Sequence, residues 1–429
     1  MMYHEKMEKM KLSEIKKLQL QRIKKSVKHC YDNVPLYKRR LKEAGIMPSG
    51  IKKLEDVSKL PFTVKTDLRD HYPYGILAVP TDRINRFHAS SGTTGKPTVV
   101  SYTRKDLDDW YELMARCYAC TGATSKDIVQ NSYGYGLFTG GLGFHGGAER
   151  LGCAVIPVAT GNTKRQLMIM KDMQSTVLCC TPSYALYLAE AAKADGIDPK
   201  KDLAIKRGIF GAEPWSDGMR REIQKAFGMK AYDMYGMSEL YGPGVAIECE
   251  EQDGLHLWSD YFYAEVIDPE TQEVLGPGEK GELVVTTLIR ESMPLIRYRT
   301  RDITILNEDK CACGRSHPRI MRIGGRSDDM LIVGGVNVFP SQIEHVITQV
   351  PGASPNYQIV IDRDLLDKLT IKIETDERTK PTPELQRALQ DGIQSILGIK
   401  ASVELGGFNS LPRSEGKAKR VIDLRKEKA

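Results

Sequence analysis

The densest run of chemistry-bearing residues is Ser90-Ser91-Gly92-Thr93-Thr94-Gly95-Lys96-Pro97-Thr98. Its two glycines let backbone N–H groups approach an anion closely, and five hydroxyls with one ammonium add donors suited to a polyphosphate. It is not a Walker loop, which needs glycine where Ser90 stands and Ser or Thr where Pro97 stands. Tyr235-Gly236-Met237-Ser238-Glu239 offers an aromatic plane for a purine and a carboxylate for a metal–phosphate group. Gly211-Ala212-Glu213-Pro214 reads as a tight turn after a short strand. Tyr298-Arg299-Thr300-Arg301-Asp302 ends in a carboxylate able to accept both hydroxyls of a ribose. A separate set is rich in sulfur. Cys311-Ala312-Cys313-Gly314 puts two thiols on one turn, and Cys249 with His256 completes a tetrahedral donor set that suits structural Zn²⁺, with His317 a rival fourth ligand.

Gly141-Leu142-Gly143-Phe144-His145-Gly146 matches the dinucleotide pattern GxGxxG, yet no Asp or Glu lies between Arg150 and Lys171, where the ribose-binding acid belongs. These glycines are therefore expected to allow close packing beside a ligand cavity. The elements that must hold all these residues alternate. Strand-like runs Cys153–Val158, Val177–Cys180 and Ile209–Phe210 are interleaved with a helix at Tyr184–Ala194, entered behind Pro182-Ser183, which predicts α/β architecture. From about residue 258 the pattern turns to β: Ala264–Ile267 and Glu282–Leu288 flank the turn residues Asp268-Pro269 and Gly276-Pro277-Gly278, predicting a β-rich subdomain. Beyond Gly325-Arg326-Ser327-Asp328-Asp329, strands at Met330–Val333, Gln358–Ile361 and Leu369–Glu374 and helices at Ser341–Val350 and Pro383–Leu397 make a compact α+β unit. The expected division is residues 1–327 and 328–429.

Composition narrows the class. A chain of 429 residues, 41% hydrophobic and 28% charged, has the make-up of a multidomain soluble enzyme. No run approaches the ~18 apolar residues of a membrane span, and the polar N-terminus lacks a secretory h-region, so no membrane contact and a cytoplasmic address are expected. The nine cysteines are an odd count over a long chain, which points to free thiols or a metal rather than a disulfide framework. The first 54 residues hold an excess of ten positive charges. With Leu12, Ile15, Leu18, Ile23 and Val27 near one helical stripe, that excess reads as the solvated face of an amphipathic helix, and no nucleic-acid partner is expected.

Taken together and in order, these motifs resemble the adenylate-forming superfamily of acyl-CoA synthetases, and within it the phenylacetate–coenzyme A ligases. The resemblance runs from His29-Cys30-Tyr31-Asp32-Asn33-Val34-Pro35 to Leu411-Pro412-Arg413-Ser414-Glu415-Gly416-Lys417. It includes Tyr133-Gly134-Tyr135-Gly136-Leu137-Phe138-Thr139-Gly140-Gly141, Tyr241-Gly242-Pro243-Gly244-Val245 and Val336-Asn337-Val338-Phe339-Pro340. It implies a large AMP- and acid-binding domain and a small mobile domain. The implied reaction is ATP-dependent ligation of an arylacetic acid, phenylacetate foremost and indoleacetate or benzoate as alternatives, to coenzyme A through an acyl-adenylate. Lys417 would be the catalytic lysine, Asp328 the hinge, and Glu239 the Mg²⁺ ligand. Ser90, Ser91, Gly92, Thr93, Thr94, Gly95 and Lys96 would hold phosphates. Asp302 and Arg326 would hold the ribose side, and Gly211, Ala212, Glu213, Asp233, Tyr235, Gly236 and Ser238 the rest of the nucleotide. Tyr135 and Phe138 would contact the aryl ring, with Gly140 and Gly141 making room. Relatives of this length imply a homodimer. Two other readings are a carrier-protein adenylating enzyme, for which no carrier-like segment is evident, and a non-catalytic nucleotide-binding regulator, which has no need of a swinging lysine.

Overall fold

The computed structural model describes residues 1–90, 97–327, 331–333, 336–363, 367–413 and 420–426. Ser91, Gly92, Thr93, Thr94, Gly95, Lys96, Asp328 and Lys417 lie outside those residues.

Val177–Cys180 is a continuous apolar run buried along its whole length, as a central strand covered on both faces requires. It pairs in parallel with Ile128–Asn131 on one side and Arg207–Gly211 on the other, and Ala154–Ile156 and Lys230–Met237 extend the parallel block to five strands. Lys230–Met237 then turns back on Gly242–Glu248, and pairing continues antiparallel through Leu255–Leu257, Arg319–Ile320, Tyr298–Asn307, Lys280–Thr287 and Phe262–Ile267. The run of antiparallel strands is the expected β-rich part. It continues the parallel block edge to edge in one 11-stranded sheet. The two expected runs do form a hairpin, Phe262 opposite Thr287 and Ile267 opposite Glu282. Asp268 closes the tip by accepting the Glu270 and Thr271 N–H groups at 2.8 Å.

The helix predicted from Tyr184 begins two residues earlier, at Pro182. Thr181 caps it, and proline at the first position gives up an N–H that no helix would use. The GxGxxG run lies inside the helix Thr139–Leu151, and Gly143 and Gly146 pack closely on a neighbouring helix, Arg104–Cys120. A β-carbon at Gly143 would fall 2.4 Å from the Trp110 ring, and one at Gly146 would fall 2.1 Å from Tyr111.

The C-terminal residues build a four-stranded sheet in the order Ser402–Gly406, Asp367–Thr375, Ala353–Arg363, Val421–Asp423, antiparallel at the centre and parallel at both edges. Pro340–Gln349 and Pro383–Leu397 cover it, and Ile343, Ile347, Ile359, Ile371, Leu389 and Ile393 form a fully buried core. This core is distinct from those of the large domain. Among the described residues, no helix is long and apolar enough to cross a membrane.

Candidate active site and candidate metal centre

In open α/β sheets, ligands sit at the carboxyl ends of parallel strands, where side chains and helix N-termini converge. Most of the singled-out residues lie there. Tyr133, just past Ile128–Asn131, reaches across the strand ends and donates its hydroxyl to the Cys180 carbonyl at 2.5 Å. Gly211 ends the next strand, and Ala212 follows in the left-handed region with φ of 69°. The Glu213 carboxylate accepts the Ser183 N–H at 2.8 Å, so it serves the start of the Pro182–Ala194 helix.

Tyr235 lies near the end of Lys230–Met237 and donates its hydroxyl to Asp302 Oδ2 at 2.6 Å. Burial, and then the Asp302 charge, push that hydroxyl far above its usual pKa, which keeps it a donor. The Arg326 guanidinium stands 3.9 Å from the other Asp302 oxygen, and the two backbones pair as an isolated antiparallel bridge. A tyrosine, a carboxylate and an arginine from three distant stretches therefore meet at one edge of the site. Asp233 accepts the Trp215 indole N–H at 2.9 Å and faces Arg322 at 3.7 Å. Gly236 has a packing reason, because a β-carbon there would meet the Gly242 carbonyl at 2.5 Å.

Ser238 and Glu239 follow the strand directly. The Ser238 hydroxyl lies 3.1 Å from that of Thr139. Glu239 is 2% exposed, and its Oε1 has no hydrogen-bond partner among the described residues. Lys65 Nζ stands 3.4 Å from that oxygen. Arg290 donates to the Glu239 carbonyl at 3.0 Å and lies over the rings of Tyr102 and Tyr241. A buried carboxylate oxygen with one cation alongside fits a site that receives a divalent metal. Ser90 Oγ is likewise buried and without a partner among the described residues. The sequence drew no attention to Lys65 or Arg290. Neither belongs to a spaced motif, and only the fold brings them to Glu239.

The two aromatics expected at the acid differ in setting. Tyr135 is half-buried, its hydroxyl accepting from Asn131 Nδ2 at 2.7 Å and lying 3.2 Å from His145 Nδ1. Phe138 is 37% exposed, with its ring over Gly140, where a β-carbon would come within 2.4 Å of it. Gly141 is held by its N–H to the Gly134 carbonyl and by Asn131 on its own carbonyl.

The sulfur cluster forms through strand pairing. Cys249 directly follows Gly242–Glu248, while His256 lies on Leu255–Leu257 opposite Arg319, which draws in the loop carrying Cys311 and Cys313. The four ligand atoms all lie within 4.8 Å of one another. Cys249 Sγ is 3.7 Å from Cys311 Sγ, and Cys313 Sγ is 3.3 Å from His256 Nε2. A tetrahedron with ~2.3 Å metal–sulfur bonds has ligand–ligand edges of ~3.8 Å, so the donors fit zinc. His256 Nδ1 faces the His317 carbonyl at 3.2 Å, which presents Nε2 to the cluster. The rival ligand fails: His317 Nδ1 accepts the Ser259 N–H at 3.0 Å and Nε2 faces the Met7 carbonyl at 3.1 Å. Within the cluster Cys313 is the thiol held as thiolate, its pKa drawn down first by the Cys249 thiol and then by His256, while Cys249 is pushed up in return.

Residues 78–288 match the family model of the AMP-binding enzyme, and residues 335–425 match that of the AMP-binding enzyme C-terminal domain. The phenylacetate-coenzyme A ligase of Thermus thermophilus is 46% identical, over 99% of this chain and 100% of its own length. That of Pseudomonas putida is 49% identical, over 98% of this chain and 96% of its own. A 2-hydroxyisobutyryl-CoA ligase, crystallised with its acyl-adenylate in the postadenylation state, is 32% identical and superposes with a TM-score of 0.93, over 99% of this chain and 93% of that one. In its thioesterification state, with coenzyme A, the TM-score is 0.74 over the same coverage. Agreement at this level along the full length of both partners shows that the chain belongs to the phenylacetate–coenzyme A ligase family of adenylate-forming enzymes.

Proposed function

We propose that this protein joins an arylacetic acid, phenylacetate foremost, to coenzyme A in two half-reactions. In the first, the acid's carboxylate attacks the α-phosphorus of ATP, the bond to pyrophosphate breaks, and an acyl-adenylate forms. In the second, the coenzyme A thiol attacks the acyl carbon, giving the thioester and AMP. The observation that carries this reading is the meeting of Tyr235, Asp302 and Arg326 beside a buried, under-satisfied Glu239 at the strand ends. Asp302 would receive the ribose hydroxyls, Tyr235 and the Gly211–Ala212 turn would flank the base, and Ser90 with the loop after it would hold phosphates. Mg²⁺, when bound, neutralises phosphate charge as it builds up. Glu239 would hold it, and Lys65 lies close enough to share the phosphate charge. Lys417 would supply a further cation in the first step only. The small domain, taken as residues 328–429 and hinged at Asp328, would then swing to admit the thiol. Tyr135 and Phe138 would flank the aryl ring, with Gly140 and Gly141 making room.

The Cys249, His256, Cys311 and Cys313 cluster would hold Zn²⁺ with no position left open, pinning the loop before Arg319 rather than doing chemistry. The reading also places the enzyme in the cytoplasm as a homodimer, which sedimentation of the purified protein would test.

The decisive assay supplies ATP, Mg²⁺, coenzyme A and a panel of acids. AMP, pyrophosphate and an arylacetyl thioester are expected, with long fatty acids poor. Stoichiometric ADP would refute the adenylate route.

A further inference from the structure

Among the described residues, the contacts between the two domains include two that lie away from their junction. The first is a close approach of helices. At the N-terminus of the helix Asp217–Phe227, the Ser216 N–H donates to Glu344 Oε1 at 3.0 Å, and Glu344 Oε2 accepts the Tyr357 hydroxyl at 3.1 Å. Gly218, the second residue of that helix, faces Thr348 of the Pro340–Gln349 helix so closely that a β-carbon would lie 2.2 Å from the Thr348 β-carbon. Gly218 is not among the left-handed glycines, so its backbone would accept any residue. Glycine weakens a helix relative to alanine, and here the neighbouring domain supplies the reason for it. The second contact is ionic. Arg413 donates to Glu374 Oε1 of its own domain at 2.9 Å and to Glu190 Oε2 of the large domain at 3.0 Å. Glu374 is fully buried, so it fixes the arginine, and Arg413 stands four residues before Lys417.

These contacts belong to the arrangement that matches the postadenylation state of the 2-hydroxyisobutyryl-CoA ligase at 0.93, and the thioesterification state differs, at 0.74. A contact present in one of two arrangements biases the equilibrium by its own free energy and acts only on the step that arrangement performs. We propose that Gly218 and Glu190 are positioning residues for the first half-reaction: the bare α-carbon of Gly218 lets the small domain seat, and Glu190 orients it through Arg413. This rests on the two-step reading above.

The test measures each half-reaction separately: acid-dependent pyrophosphate release without coenzyme A, and thioester formation from supplied acyl-adenylate. A side chain at 218 must push the helices apart by ~1 Å or more to regain ordinary contact. Gly218→Ala is therefore expected to slow adenylation about ten- to a hundredfold, the usual range for overpacking, and to leave thioester formation within about twofold. Thr348→Gly in the same chain removes the opposing atoms and is expected to restore most of the adenylation rate. Glu190→Gln keeps the shape and removes the charge, with a loss of about two- to fivefold confined to the first step. Because alanine favours the helix, thermal unfolding of Gly218→Ala is expected to match the parent. Equal losses in both steps, no loss in either, or no rescue by Thr348→Gly would overturn the proposal. A parent enzyme that releases no pyrophosphate with any acid would remove the reading beneath it as well.

Discussion

The strand-end site and the sulfur cluster are built from the same sheet, yet they are finished to different degrees. Around Cys249, His256, Cys311 and Cys313 every donor faces another donor, and the histidine's second nitrogen is already turned to a backbone carbonyl. Around Glu239 the reverse holds: a carboxylate 2% exposed keeps one oxygen without a hydrogen bond among the described residues, and the Ser90 hydroxyl is in the same condition. Leaving buried polar atoms unsatisfied is costly, so proteins tolerate it where a ligand completes the set. The closed cluster should then govern stability, and the open one chemistry.

The largest expected effect is at Lys417. Lys417→Ala should slow adenylate formation by ~10²–10³-fold, the range for losing one transition-state donor, while thioester formation from supplied acyl-adenylate survives. Equal loss in both steps, measured as pyrophosphate release and thioester yield, would break the division of labour. Glu239→Gln comes next, with adenylation down by about 10²-fold and the Mg²⁺ concentration needed for half-maximal rate clearly raised. An unchanged magnesium titration would show that Glu239 faces Lys65 for structure alone. Asp302→Asn should raise the KM for ATP by about tenfold, because one charge-assisted acceptor at the ribose is lost.

On the closed side the effect should be on unfolding. Protein purified without added zinc is expected to carry about one zinc per chain by metal analysis. Cys311→Ser should lose that metal and lower Tm by about 5 °C or more, with kcat of the surviving folded enzyme little changed. Substoichiometric metal that Cys311→Ser leaves unaltered would mean the site does not exist. The smallest effect is expected at the acid. Phe138→Ala should shift the preference between phenylacetate and larger aryl acids by only ~1–3 kcal/mol, seen in kcat/KM across the panel.

Local pattern and motif wording were enough for a good deal of this. Val177–Cys180, Pro383–Leu397 and the hairpin around Asp268 could be read directly, because burial periodicity, proline placement and turn residues act over a few positions. The order of motifs along the chain carried the family, and the spacing of cysteines suggested a metal. Tertiary structure alone decided how distant pieces meet. That His256 and not His317 faces the thiols depends on a strand pairing that sets His256 opposite Arg319, and on Ser259 and Met7 occupying the rival ring. That Gly143 and Gly146 serve helix packing depends on Trp110 and Tyr111 of another helix, and that Lys65 reaches Glu239 depends on where the short helix Lys65–Asp70 is laid down. Gly218 is the plainest case: its sequence neighbours ask for any helix former, and only the approach of Thr348 from the other domain requires that there be no side chain. Such contacts join residues far apart in the chain through packing, and no local pattern encodes which surface will arrive opposite.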